Sequence, residues 1–256
     1  MKNRNFIVTG ASQGLGAALC KQLSLLGHRV LATARSETNL AQLWQDDPNV
    51  DWVALDLSKP DSAEKLIQHA VDKLQTIHGV VNNAGTIEPI APLAASDPEA
   101  WTRAIQLNLT TPAMIMRAAL PHLQETEGVV LNISTGAAVK VVQGWSAYCA
   151  SKAGLLHLTS VAAVENPKLR FYSLRPGVID TAMQNEIRNS SGMTEADKSK
   201  FQALKQNDQL EPPEVPARSA VWLLLQGPKQ RSGEFIQYTD EEVVRGVERL
   251  FDLELL

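Results

Sequence analysis

Residues 9–16, which read TGASQGLG, decide the fold of this chain. They follow an apolar run at 6–9 that is typical of a buried strand, and they lead into an apolar-periodic stretch at 15–26 that is typical of a helix. Glycines in such a turn let the backbone approach a pyrophosphate, which then lies at the positive end of the helix. The T-G-x-x-x-G-x-G spacing differs from G-x-G-x-x-G, and the alternative is an ordinary glycine turn. In this strand–turn–helix setting we interpret the stretch as a dinucleotide-binding turn.

Length and composition exclude several classes of protein. The chain has 256 residues, of which 44% are hydrophobic and 20% charged, so it can bury a large core and is not collagen-like or disordered. The net charge is −4 and no basic stripe is visible, so we expect no nucleic-acid partner. Two cysteines, Cys20 and Cys149, cannot make a disulfide framework and indicate a reducing compartment. Since no apolar run is long enough to cross a membrane and no signal-peptide core is present, we expect a cytoplasmic protein.

Short apolar runs alternate with helical patterns along the whole chain. The predicted strands are 6–9, 29–33, 51–55, 79–81, 129–133, 169–174 and 234–237. The predicted helices are 15–26, 37–45, 62–75, 98–125 (with Pro112 and Pro121 as possible breaks), 148–165 and 216–225. Most strands are continuous apolar runs, which is typical of parallel strands buried on both faces. The pattern predicts an α/β fold, a Rossmann-type doubly wound parallel sheet of about seven strands in three α/β/α layers, with one domain over 1–256.

One connection is much longer than the others. It runs through 178–211, between the strand at 169–174 and the helix near 216. Connections of this length are usually functional lids or disordered segments. We expect a lid over the substrate, and the alternative is a surface elaboration.

Several polar residues follow the predicted strands or share a helix face. Tyr148 and Lys152 are four residues apart and therefore lie on one face of a helix, although a core tyrosine beside a surface lysine is the ordinary alternative. Ser134 ends the strand before this helix, Asn83 follows another strand, and Asn108 lies in the helix between them. Ligands bind beyond the carboxyl ends of the strands in open α/β sheets, so we expect Gly10, Asn83 and Ser134 to meet there.

Taken together, these motifs resemble the short-chain dehydrogenase/reductase family. The resemblance rests on T-G-x-x-x-G-x-G at 9–16, N-N-A-G at 82–85, Asn108, Ser134, Y-x-x-x-K at 148–152, and Pro176-Gly177 followed by Thr181. These elements cover almost the full length in the family order. Residues 176–184 and 207–210 are similar to the sepiapterin reductase and benzil reductase group. The usual D-G-G near the C-terminus is absent, and the chain reads QYTD at 237–240 instead.

The resemblance implies an NADP-dependent oxidoreductase that reduces a small ketone or 1,2-dicarbonyl to an alcohol or hydroxyketone. Tyr148 would be the general acid, Ser134 would orient the carbonyl, and Asn108 would hold a water that links Lys152 to solvent. A lysine about 5 Å away stabilises a phenolate by roughly 3 kcal/mol, so we expect Lys152 to lower the pKa of Tyr148 towards working pH. The alternatives are a 3-oxoacyl or hydroxysteroid reductase of the same family and a regulator that binds NADP without turnover. The intact Ser134, Tyr148 and Lys152 argue against the regulator.

The end of the second strand bears on the choice of cofactor. An acidic residue there would bind the ribose 2′-hydroxyl, whereas an arginine accepts a 2′-phosphate. The sequence has Arg35 and no acid until Glu37, so we expect NADP rather than NAD. Asp56 resembles the family acid that bonds the adenine amino group, and the alternative is a turn cap before Ser58. The expected cofactor residues are Gly10, Ser12, Gln13, Gly14, Leu15, Gly16, Arg35, Ser36, Asp56, Leu57, Asn83, Ala84, Gly85, Tyr148, Lys152, Pro176, Gly177, Ile179 and Thr181.

The expected substrate contacts are Ser134, Trp145, Tyr148 and Met183. Trp145 precedes Tyr148 by three residues, and Met183 lies in the lid, where it would otherwise pack the lid onto the core. The five histidines have no H-x-x-x-H or H-E-x-x-H spacing, so we expect no metal site. The helices at 148–165 and 101–120 are more apolar than one sheet-facing stripe requires. This excess predicts a homodimer in which these helices pack against their mates.

Overall fold

A computed structural model describes residues 3–254 and has the predicted parallel sheet at its centre. Its seven strands lie in the order β3-β2-β1-β4-β5-β6-β7. Their bounds are β1 Asn5–Thr9, β2 Arg29–Ala34, β3 Val50–Ala54, β4 Gly79–Asn82, β5 Val129–Ile133, β6 Arg170–Arg175 and β7 Phe235–Gln237. The strand order reverses between β1 and β4, and in a Rossmann fold the crevice at this point binds the ligand.

Helices cover both faces of the sheet. They are α1 Gly14–Leu25, α2 Glu37–Trp44, α3 Ser62–Leu74, α4 Pro98–Ile105, α5 Thr111–Thr126, α6 Ser146–Glu165, α7 Ala182–Asn189, α8 Glu195–Gln206, α9 Glu214–Gln226 and α10 Glu241–Glu254. Consecutive strand residues point to opposite faces, so Val8 packs in the core with α1 and α9, and Ile7 in the core with α3 and α5. Both cores are apolar, which explains why the strands are continuous apolar runs.

The long predicted helix at 98–125 has an irregularity, although not at its prolines. A π-helical turn, Gln106–Thr110, joins α4 to α5 and contains Asn108. Pro112 lies in the first turn of α5, directly after the π-helical turn. The helix continues through Pro121, so the break suggested there is wrong.

The segment at 178–211 contains two helices, α7 and α8. Its two ends meet at a bridge between Ile179 and Glu211, where Asp180 N donates to Glu211 O and Glu211 N to Val178 O, both at 2.9 Å. The Tyr238 hydroxyl donates to the Glu211 carboxylate at 2.9 Å. Burial and this carboxylate raise the pKa of Tyr238 to about 12. The two ends of the segment therefore lie side by side, so the chain leaves the rest of the fold and returns to it at the same bridge.

No helix between residues 3 and 254 has the length and apolar character needed to span a bilayer.

Candidate active site

The carboxyl ends of β1 and β4 are joined by Thr9 and Asn83. The Thr9 hydroxyl donates to Val81 O at 3.2 Å and accepts from the N–H groups of Asn83 and Ala84 at 2.9 and 3.0 Å. The Asn83 side chain donates to the carbonyls of Thr9 and Gly10 at 2.8 and 3.2 Å. The structure thus brings the predicted residues Gly10, Asn83 and Ala84 together at the point where the strand order reverses.

The glycine turn is packed too closely against its neighbours for side chains at Gly10 and Gly16. Gly10 and Gly14 have φ of +68° and +54°, a region that glycine adopts without strain. A Cβ at Gly10 would lie 2.8 Å from Asn83 Nδ2, and one at Gly16 would collide with the Gly10 carbonyl oxygen. The Gln13 side chain, at the N-cap of α1, forms no capping bond to any described residue. The first N–H groups of α1 are therefore available to an anion, which fits the pyrophosphate of a dinucleotide.

The predicted cofactor residues Arg35, Ser36 and Asp56 follow β2 and β3 and differ in their contacts. Arg35 is exposed directly after β2, and its charge contributes to lowering the pKa of Asp56, after the larger effect of hydrogen bonds from Ser58. The Asp56 Oδ1 atom accepts from the Ser58 hydroxyl and N–H at 2.7 and 3.0 Å, so the turn cap considered for Asp56 is present. The Ser36 hydroxyl caps α2 by accepting from Asn39 N at 3.2 Å.

The remaining predicted cofactor residues lie on the turn, after β3 or near the start of the segment 178–211. Thr181 lies against the glycine turn, because a Cβ at Gly14 would be 3.1 Å from Thr181 Cγ2. Gly177 has a φ of +81° and packs beneath the Tyr238 ring. The side chains of Leu15, Leu57 and Ile179 are buried, so a ligand at the crevice would meet mainly their backbone. Ser12 is half-buried on the turn, and Pro176 is buried beside Gly177.

Tyr148 and Lys152 share one face of α6, as predicted, and both are buried. The Lys152 Nζ atom lies 5.9 Å from the centroid of the Tyr148 ring and donates to Ile133 O at 2.8 Å. Lys152 is 4% exposed and has no carboxylate partner within residues 3–254. Burial therefore lowers the pKa of Lys152 to about 8.

The pKa of Tyr148 differs in direction from the one expected from the sequence. Burial of the phenol raises it to about 12, and a hydrogen bond with the Thr135 side chain acts in the opposite direction. In the protein without ligands, the free energy needed to bury a phenolate exceeds its attraction to the Lys152 ammonium. The expectation of a lowered pKa considered only that attraction. Tyr148 is thus a neutral phenol at working pH, and this is the form that can donate a proton.

Thr135, which was not among the predicted site residues, has the side chain that acts to lower the pKa of Tyr148. Ser134 is 4% exposed, and its backbone N–H donates to Leu174 O at 2.8 Å, which extends the pairing of β5 with β6 by one residue. Its hydroxyl has no partner among the described residues. Thr135 is extended, with φ −159° and ψ 161°, so its side chain points to the opposite side from that of Ser134. The Thr135 oxygen accepts from Ala137 N at 3.3 Å, and its O–H remains able to donate. The alternation of side chains along an extended segment is the signal that distinguishes these neighbours.

Asn108 lies behind Lys152 and is fully buried. Its Oδ1 atom accepts from Thr86 N at 2.9 Å, and its Nδ2 atom donates to Thr86 O at 2.8 Å and to the Ser151 hydroxyl at 3.3 Å. A Cβ at Gly85 would lie 3.0 Å from Asn108 Oδ1 and 3.8 Å from Lys152 Nζ. The structure therefore places the predicted residues Gly85, Asn108 and Lys152 side by side.

The segment 178–211 closes over Tyr148 through an apolar cluster. The Trp145 ring meets the Tyr148 ring edge to face, with centroids 5.7 Å apart at 90°, and stacks on Phe201 of α8 at 5.5 Å and 29°. Ile87, Ile187 and Met193 are buried in the same cluster, and Met183 packs against it half-buried. Both predicted apolar substrate contacts, Trp145 and Met183, thus lie in the cluster that covers the phenol.

Comparison with known proteins agrees with this arrangement. The model of the short chain dehydrogenase family matches residues 4–192. A benzil reductase ((S)-benzoin forming) of Saccharomyces cerevisiae is 33% identical over 253 residues, covering 93% of this chain and 96% of that protein. Sepiapterin reductase of Mus musculus is 33% identical over 253 residues, covering 91% and 96%. The crystal structure of a short chain dehydrogenase/reductase from Saccharomyces cerevisiae has a TM-score of 0.90 at 30% identity, covering 95% and 99%.

The matched residues include the glycine turn, Asn83, Asn108, Tyr148 and Lys152, which form the site described above. The chain therefore belongs to the short chain dehydrogenase family, whose members are oxidoreductases that bind a nicotinamide cofactor.

Proposed function

We propose that the protein reduces the carbonyl group of a small ketone or 1,2-dicarbonyl with NADPH, and that Tyr148 donates the proton. The observation that carries the proposal is the buried pair of Tyr148 and Lys152 on one face of α6, at the sheet edge that holds the glycine turn. Relatives named benzil reductase and sepiapterin reductase support reduction of a carbonyl compound.

Carbonyl reduction adds a hydride to carbon and a proton to oxygen. When bound, the reduced nicotinamide supplies the hydride. Tyr148 gives its proton to the carbonyl oxygen as negative charge develops there. The ammonium group of Lys152, held by the Ile133 carbonyl, stabilises the phenolate that remains. Asn108 bonds the π-helical turn to Thr86, next to Lys152. We expect the phenol to regain its proton from this side of Lys152.

Thr135, rather than Ser134, has the position to assist the phenol. Its hydrogen bond to the Tyr148 oxygen directs the phenol proton away from Thr135 and stabilises the phenolate. We therefore assign to Thr135 the orienting role that was expected of Ser134, whose hydroxyl is buried without a partner among the described residues.

We assign the 2′-phosphate of NADPH to Arg35. Its side chain is exposed at the end of β2, close enough to Asp56 to affect its pKa, and no acidic residue stands between 33 and 36 to repel a phosphate. The N–H groups at the start of α1 would hold the pyrophosphate, and Asn83 and Thr181 border the same crevice.

We further propose a homodimer in a reducing compartment such as the cytoplasm. The outer face of α6 exposes the apolar side chains of Val161 and Val164, the latter to 82%. A second copy of the same face would cover these side chains. Neither cysteine forms a disulfide, and Cys20 is buried, which suits such a compartment.

The test of the proposed reaction compares wild type with Tyr148→Phe, which removes only the hydroxyl. We expect wild type to oxidise NADPH when a diketone is added, and the variant to lose about 10²–10⁴-fold of that rate, as is usual for a lost general acid. NADPH binding, followed by nicotinamide fluorescence, should persist in the variant. A variant that keeps more than about a tenth of the wild-type rate contradicts the role of Tyr148. Binding of NADPH without turnover of any carbonyl compound by wild type would favour a regulator.

A further inference from the structure

The indole N–H of Trp145 is a buried donor without an acceptor among the residues that the structure describes. Trp145 is 5% exposed, and its Nε1 atom is shielded from solvent. Two other tryptophans of the chain do find partners: Trp44 Nε1 donates to Ala11 O and Trp101 Nε1 to the Ser146 hydroxyl, each at 3.2 Å. Because buried indole N–H groups usually have an acceptor, Trp145 is an exception that requires a reason.

The surroundings of Trp145 place its indole ring against the ring of Tyr148. Its ring contacts the Tyr148 ring and Phe201 of α8, in a cluster whose other buried members are Ile87, Ala137, Ile187 and Met193. None of these side chains is a strong acceptor, since only the Met193 thioether can accept, and it does so weakly. Trp145 and Tyr148 are three residues apart at the start of α6, so their side chains lie on the same side of the helix.

We infer that Trp145 Nε1 donates a hydrogen bond to a second oxygen of the substrate, on the carbon next to the reacting carbonyl. This inference rests on the proposed function and selects 1,2-dicarbonyl compounds over simple ketones. Oxygens on adjacent carbons lie close together, so one can receive the Tyr148 proton while the other accepts from Trp145. The aliphatic cluster then surrounds the hydrocarbon part of the substrate. A simple ketone leaves the indole N–H unpaired, and sites built around a hydrogen bond discriminate against such analogues.

The test uses Trp145→Phe, which retains an aromatic ring against Phe201 and deletes the N–H. Its kcat/KM is measured with 1-phenyl-1,2-propanedione and with propiophenone, which has the same carbon skeleton and lacks the second oxygen. We expect the loss to be about tenfold greater for the dione than for the monoketone, the size of one neutral hydrogen bond. The ratio of the two values within one preparation does not depend on the fraction of protein that is folded. The greater intrinsic reactivity of the dione cancels when each variant is compared with wild type.

Two controls separate this role from packing. Phe201→Leu disturbs the same cluster without touching the indole, so it should change both substrates by one common factor. Trp145→His restores a ring N–H and should recover part of the preference for the dione. If Trp145→Phe reduces both substrates equally, Trp145 only packs the segment 178–211 onto the site and the inference is wrong. If wild type reduces neither compound, nor any other carbonyl, the proposed function fails and the inference fails with it.

Discussion

Thr135→Val is the sharpest single test of the site, because valine keeps the shape of threonine and removes its hydroxyl. The phenolate of Tyr148 then loses one hydrogen bond, while Lys152 and the Ile133 carbonyl remain in place. A hydrogen bond to a charged group contributes about 1.5–3 kcal/mol, which corresponds to a loss of roughly 10–150-fold in kcat. The pKa of Tyr148, already about 12, should rise further because the bond that opposes the effect of burial is gone. Steady-state oxidation of NADPH with a diketone measures the rate.

Ser134→Ala is the matched control for this experiment. The Ser134 hydroxyl is buried and has no partner within the described chain, so removing it should leave kcat nearly unchanged and stability equal or slightly higher. Thr135→Ser keeps the hydroxyl and should stay close to the wild-type rate. A larger loss in Ser134→Ala than in Thr135→Val would refute the reasoning and return the orienting role to Ser134.

Three further predictions concern cofactor choice, stability and assembly. Arg35→Ala should weaken NADPH binding by roughly 10–150-fold and leave NADH binding nearly unchanged; equal losses in a fluorescence titration would mean that Arg35 does not read the 2′-phosphate. Burial and then the charge of Arg4 lower the pKa of His28 from 6.5 to about 4, so the unfolded state binds more protons between these values and stability falls as pH decreases through that range. Urea unfolding should show a loss of about 3 kcal/mol from pH 7 to pH 4, reduced in His28→Asn; an identical loss in that variant would exclude His28 as the cause. Light scattering at micromolar concentration should give the mass of a dimer, and Val164→Glu should shift it towards that of a monomer; a monomeric wild type would contradict the assembly.

The sheet could be predicted from the sequence because its strands are buried on both faces. Each predicted strand lies within one residue of the observed one, since continuous apolar runs bounded by polar turns leave few alternatives. The C-terminal helix α10 was not predicted. Val243, Val247, Leu250 and Phe251 face the core at the i, i+4, i+7 and i+8 spacing of an amphipathic helix, so the sequence carried a signal for α10 that the prediction overlooked.

The parts of the site that sequence reasoning missed depend on direction and burial. Ser134 and Thr135 both carry hydroxyls, and only the course of the chain after β5 decides which one faces Tyr148. The pKa of Tyr148 depends on how completely the segment 178–211 covers the phenol, which no motif specifies. Similarly, Asn108 is held by bonds between its side chain and the backbone of Thr86, a residue far away in sequence.

The bridge at the base of the segment 178–211 makes this part of the chain exchangeable. Its two ends are held together by Ile179 and Glu211, so the distance between them is the same whatever lies in between. Tyr148, Lys152 and Thr135 lie outside those ends, and their contacts with one another involve none of the residues between. Replacement of the residues between 179 and 211 as one unit would give relatives new substrates while they keep the same reacting residues. A chimaera that joins this core to the insert of another family member, cut at 179 and 211, is the laboratory counterpart of that evolutionary step.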